Sequence, residues 1–217
     1  FTPTAGFEGA CSVSVAAGVF TDAAGNQNTV SGTANGVAGP FAWTNDTQHP
    51  TMTITSTGAV NGTALSSGGH ANGDVVLVFT ASEDITDFVE GDISVTENGV
   101  AVTGSFNGTL TADPNGQVKI YTATFTPTAG FEGACSVSVV ANKFKDLAGN
   151  QNTGLDPLGA SSEFNWTNDT TRPTMSITST TLVNGTALSD GGSASGVVDL
   201  VFTASEDITD FVEGDIS

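Results

Sequence analysis

Residues 77–94, LVFTASEDITDFVEGDIS, return letter for letter at 200–217, an offset of 123 (77 to 200). The opening FTPTAGFEGACSVSV at 1–15 likewise returns at 125–139, an offset of 124 (1 to 125). A period of this length is that of one small domain, so each unit must close its own core within it. At 217 residues the chain holds one whole repeat and two partial ones. Because it starts and stops inside a repeat, it reads as a window of a longer array.

The residues between the repeats' landmarks are mostly Thr, Ser, Gly, Asn and Val. Leu, Lys, Arg and Gln are sparse, which argues against long amphipathic helices. Asn61-Gly62, Asn98-Gly99, Asn107-Gly108, Asn115-Gly116 and Asn184-Gly185 punctuate short β-branched runs, the pattern of strands joined by tight turns. In the complete unit the alternation predicts seven strands: 52–57, 74–80, 92–96, 100–106, 117–126, 134–141 and 162–167, with Phe88 a candidate seat for a further short one. Seven short strands at this spacing imply an all-β fold, an immunoglobulin-like Greek-key β-sandwich repeated in tandem. It would have no disulfide. Each repeat has one cysteine, Cys11 or Cys135, and Cys135 shares its phase with Val137 and Val139, so it is expected to face the core.

WTND at 43–46 and at 166–169 precedes a proline-containing strand entry, Pro50 or Pro173, where a proline suits a first or edge position. The expected division is 1–46 as the C-terminal part of one repeat, 47–169 as a complete repeat and 170–217 as the N-terminal part of the next. The copies differ in length only between Thr29 and Trp43 and between Thr153 and Trp166, which marks a surface loop.

Four Lys and Arg stand against 23 Asp and Glu, a formal charge of −19. Such a surface repels nucleic acid and anionic membranes, and no apolar run reaches membrane-spanning length. Catalysis is not expected. His49 and His70 become Arg172 and Ser193 in the next copy, so no base recurs beside the plentiful Ser and Asp, and no catalytic or phosphate-binding motif is present. The acids are more telling. In an up-and-down sandwich the loop after the second strand (Glu83, Asp84), the loop before the last strand (Asp146, Asn150) and the linker (Asp46) reach the same pole. Converging carboxylates repel unless a cation neutralises them, and an all-oxygen donor set selects a hard ion such as calcium. Asp169, Glu206 and Asp207 repeat the pattern one period on; Asp22 and Asn26 are the loop residues of the opening segment. The plain alternative is that Asp and Asn are there to cap turns. Asp87, Glu90 and Asp92 fit that alternative better, and Glu132 is expected at the opposite pole, facing the following linker.

Three segments carry a resemblance: DTTRPTMSITS at 169–179, LVFTASEDITDFVEGDIS at 77–94 and FKDLAGNQNT at 144–153. In order and spacing they resemble the bacterial Ig-like repeats of large secreted surface adhesins and biofilm proteins. The resemblance covers essentially the whole chain. It implies calcium at inter-domain junctions, with Asp46, Asp169, Glu83, Glu206, Asp146 and Asp22 as candidate ligands, and an extracellular, cell-surface setting. The calcium-binding nonapeptides of β-rolls are absent from this sequence.

Two functions remain open at this point. One is a structural spacer in a long stalk or filament, whose partners are neighbouring repeats and other copies. The other is a module for carbohydrate or a host surface, repeated for avidity. Exchange of partial repeats between chains is a variant of the first. Asn45, Asn61, Asn107, Asn165, Asn168 and Asn184 begin sequons, of which Asn165, in an expected strand, is the least suited to modification.

Overall fold

The computed structural model describes residues 1–30, 39–60, 63–102, 106–112 and 120–217. Asn61-Gly62, Asn115-Gly116, the start of the expected 117–126 strand and most of the variable loop before Trp43 lie outside them. The described chain forms two compact units, Phe1–Asp169 and Thr170–Ser217.

In the first unit, β1 (Gly9–Val13) and β2 (Phe41–Asn45) form an antiparallel pair. A two-layer sandwich follows, built from β3 (Met52–Ser56), β4 (Gly69–Ala71), β5 (Val75–Ala81), β6 (Ile93–Glu97), β7 (Val100–Ala101), β8 (Phe106–Ala112), β9 (Ile120–Phe125), β10 (Gly133–Val139) and β11 (Glu163–Asn168). One sheet has the order β8-β9-β5-β3 and the other β7-β6-β10-β11-β4. All pairs are antiparallel except β11 with β4, where Trp166 lies opposite Gly69. This is the immunoglobulin order, with β4 crossing to the second sheet.

Period-two alternation explains the layers. On β5, Val75, Leu77, Phe79 and Ala81 are buried while Val76, Val78 and Thr80 are half-buried. On β10, Cys135, Val137 and Val139 point inward, and on β11 Phe164 and Trp166 meet them. Trp166 stacks edge-on against Phe125 with ring centroids 5.5 Å apart, joining the two sheets. The geometry is the preferred one for aromatic quadrupoles.

Two elements differ from the sequence expectation. The expected strand 100–106 is divided: Val100–Ala101 closes a hairpin on β6, whereas Phe106–Ala112 crosses to pair with β9. The hairpin turn is Asn98-Gly99, both at positive φ (49° and 77°), as a two-residue turn of right-twisted strands demands. Asn107-Gly108, expected to turn the chain, instead sits in β8 where the register slips between Asn107 and Thr111. A glycine inside a strand commonly marks such a bulge. The second difference is β4, too short to show alternation. Gly69 begins it because a Cβ there would lie 2.9 Å from Leu65 Cδ1 and 3.0 Å from the Ser66 carbonyl.

Phe88 seats no strand of its own. The short strand lies just before it, at Ile85–Thr86, and pairs with Lys145–Asp146. Phe88 is buried against Phe79, Tyr121 and Phe144, with centroids 5.9, 5.1 and 5.5 Å away. This aromatic group anchors the ends of two polar loops side by side.

In the second unit β12 (Met175–Ser179) and β13 (Leu200–Ala204) pair in the register of β3 and β5: Met175 faces Ala204 as Met52 faces Ala81. Met52 is fully buried beneath the opposing sheet, while Met175 is 38% exposed.

Both cysteines are free thiols. Cys135 is 2% exposed, and burial, aided by the Glu97 carboxylate, pushes its thiol up to about 11. The thiolate is the reactive species, so at pH 8 only about a thousandth of Cys135 is in reactive form. We expect one thiol, Cys11, to react with a thiol reagent in the native protein and the second only in denaturant. Two fast thiols would mean that β10 is not packed as described.

Candidate metal centre

Glu83 lies in the loop leaving β5, two residues before Ile85. Ile85 is paired across a short antiparallel bridge with Asp146. Asp46 directly follows β2. These three acids come from sequence positions up to 100 residues apart (46 to 146), yet one carboxylate oxygen of each lies within 4.8 Å of the others. Calcium–oxygen bonds of about 2.4 Å place two ligands on one ion at most about 4.8 Å apart, so no pair of these oxygens is too widely spaced to share an ion. The donors are oxygens alone, which suits calcium and not zinc or copper.

Asp146 is the fixed member, 1% exposed. Its Oδ1 accepts from the backbone amides of Gly149 (2.6 Å) and Asn150 (2.9 Å), and its Oδ2 from Asn150 Nδ2 (2.8 Å). Burial pushes this carboxyl up. The hydrogen bonds from the Asn150 side chain and from the backbone of Asn150, Gly149 and Ala148 outweigh it, and the group ends below the usual aspartate value. It is therefore held as an anion. Oδ1 already accepts two hydrogen bonds, whereas Oδ2 accepts one and has a second lone pair available to a cation.

Asn150 Nδ2 also donates to the Asp46 carbonyl at 3.1 Å. The amide nitrogen thus faces the acids, and Asn150 holds the linker against the loop instead of turning its own oxygen to the same point. Asp84 is exposed, and the cluster includes its half-buried neighbour Glu83 instead. Lys145, beside Asp146, is engaged elsewhere, with its Nζ 2.8 Å from Asp87 Oδ2 in an exposed pair. Such pairs contribute little to stability.

Asp22 and Asn26 build the same loop in the opening segment: Asp22 Oδ1 accepts from Ala24 and Asn26, and Oδ2 from Asn26 Nδ2, all at 2.9 Å. The Asn26 side-chain bond, followed by its backbone bond, lowers the Asp22 carboxyl, although that loop is exposed. Asp169 ends the first unit, its amide bonded to the Ala71 carbonyl at 2.8 Å. Glu206 and Asp207 follow β13 in the second unit as Glu83 and Asp84 follow β5.

Asn152 is a scaffold residue that the sequence reading missed. It is buried, accepts from the Lys143 and Phe144 amides (2.7 and 3.2 Å) and donates to the Val140 carbonyl at 2.9 Å, fixing the base of the Asp146 loop. Asn28 makes the equivalent bonds to Val19, Phe20 and Ala16. The signal was present as GNQN in both copies. Of the two sequons on and beside β11, Asn168 is buried and donates to the Phe131 carbonyl, while Asn165 lies exposed. Strand position alone does not decide accessibility, since alternate residues of a strand face opposite ways.

The sandwich order and its disulfide-free core define an immunoglobulin-like domain. The family model of the bacterial Ig-like domain matches residues 46–166, more than half of the chain, and the chain belongs to that family. No curated protein and no solved structure matches it significantly. Domains of this family are typically structural and often surface-exposed. Among the described residues no helix is long and apolar enough to cross a membrane.

Proposed function

We propose that this chain is a spacer segment of a long extracellular surface protein, an adhesin stalk or filament, stiffened by calcium where one repeat meets the next. The observation that carries this reading is the meeting of Asp46 with Glu83 and Asp146. Asp46 belongs to the linker from the preceding repeat, and the other two belong to the following sandwich. An ion shared by all three would resist bending at the joint and offset the mutual repulsion of the carboxylates. Near-identical repeats serve length and mechanics better than varied recognition. For the carbohydrate-binding alternative, Trp166 lies in the core and offers no platform for a sugar ring, whereas Trp43 is half-buried.

The test is thermal unfolding and small-angle scattering of the 217-residue protein in calcium and in chelator. A ligand at 100 times its Kd stabilises the folded state by about 2.7 kcal/mol. Saturating calcium should therefore raise the Tm by several degrees and lower the spread of solution dimensions, with magnesium less effective. Identical curves in calcium and chelator would remove the mechanism.

A further inference from the structure

The linker is fastened from behind as well as from ahead. In the turn GFEG at 6–9, the Glu8 carboxylate accepts from the Thr47 backbone amide through both oxygens, at 3.1 and 3.0 Å, and from the Thr47 hydroxyl. Asn45 Nδ2 donates to the Phe7 carbonyl of the same turn. Asp46 is therefore bracketed by two residues that are both tied to one turn. The Asn45 tie recurs independently: Asn168 Nδ2 donates to the Phe131 carbonyl at 2.6 Å in the second GFEG turn. None of these bonds involves Glu83 or Asp146.

We propose that Glu8 is a positioning residue that fastens the linker to the segment before it without any metal, and so presents Asp46 to the following domain. This rests on the calcium reading for its effect on ion binding, but the fastening itself does not. The hydrogen bonds run to a carboxylate acceptor and require no metal. The joint then divides in two. Residues 45–47 move with the turn at 6–9, while the contact of Asp46 with Glu83, Asp146 and Asn150 is the half that depends on the ion. Loss of calcium should loosen the second half only.

Hydrogen exchange at the Thr47 amide and calcium titration, each on wild type, Glu8→Ala and Glu8→Gln, separate the alternatives. In chelator the wild-type Thr47 amide should be protected, and Glu8→Ala should abolish that protection. Glu8→Gln, which keeps one acceptor, should fall between. Removing a group that orients a ligand commonly weakens metal binding 10- to 100-fold, so Glu8→Ala should raise the calcium Kd at least about tenfold. The sandwich's own Tm in chelator should change little, because Glu8 is exposed and outside its core. Free exchange of Thr47 in the wild type in chelator, or unchanged calcium affinity in Glu8→Ala, would overturn the proposal. If the wild type binds no calcium but Thr47 remains protected by Glu8, the metal reading falls and the fastening stands.

Discussion

Asp146→Ala is expected to destabilise the protein by about 2–4 kcal/mol in chelator and to remove its thermal response to calcium. The stability loss follows from the donors that converge on the carboxylate, chiefly the amides of Gly149 and Asn150 and the Asn150 side chain. An unsatisfied buried donor costs about 1–3 kcal/mol, and partial rehydration of the opened loop keeps the total below the sum. An opposing effect is relief of repulsion with Asp46 and Glu83, which are partly exposed and so well screened. Asp146→Asn separates the two roles. Its Oδ1 can still accept from Gly149 and Asn150, but its amide nitrogen meets the Asn150 nitrogen, donor against donor. The Asn variant should retain more stability in chelator than the Ala variant, and neither should gain from calcium. Calorimetry of both variants with and without calcium checks this. A calcium-induced rise in Tm that survives in Asp146→Asn would place the ion elsewhere.

Trp166→Ala should be the most damaging single change to the core. Trp166 is 2% exposed and touches rings of both sheets, Phe125 at 5.5 Å and Phe164 at 6.0 Å. Removing a buried tryptophan costs about 3–5 kcal/mol, a large share of the roughly 5–15 kcal/mol that holds a domain folded. Among the described residues the indole Nε1 has no acceptor, so the loss is one of packing and not of a hydrogen bond. Trp43→Ala is the control. Its counterpart ring is only half-buried, against Phe1 and Phe41, and its loss should shift denaturant unfolding by a small fraction of that amount. Equal effects of the two substitutions would mean that the sandwich core is not centred on Trp166.

The strands with clean alternation, β5 and β10, were legible in the sequence because one face of each is buried and the other is not. β4 and β8 were not. Three residues show no period, and the Gly108 signal for a turn is also the signal for a bulge. The candidate site was legible to the level of its loops: topology alone brings the segments bearing Asp46, Glu83 and Asp146 to one pole. It did not separate Glu83 from Asp84. That choice is visible only in the fold, where Glu83 is half-buried and joins the cluster while Asp84 is exposed. Nor did it say which way the Asn150 amide points, since carbonyl and amino ends are equivalent until their partners are in place.

The sequence by itself determined the all-β class, the period and the strands whose burial is one-sided, because these are local or self-repeating properties of the chain. Only the tertiary structure decided which acids meet. The cluster is assembled from residues far apart in sequence, and its geometry depends on a two-residue strand pair, an aromatic anchor at Phe88 and Phe144, and the hydrogen bonds of Asn150. Each of those is a contact across the fold, and no local pattern of residues encodes its distance.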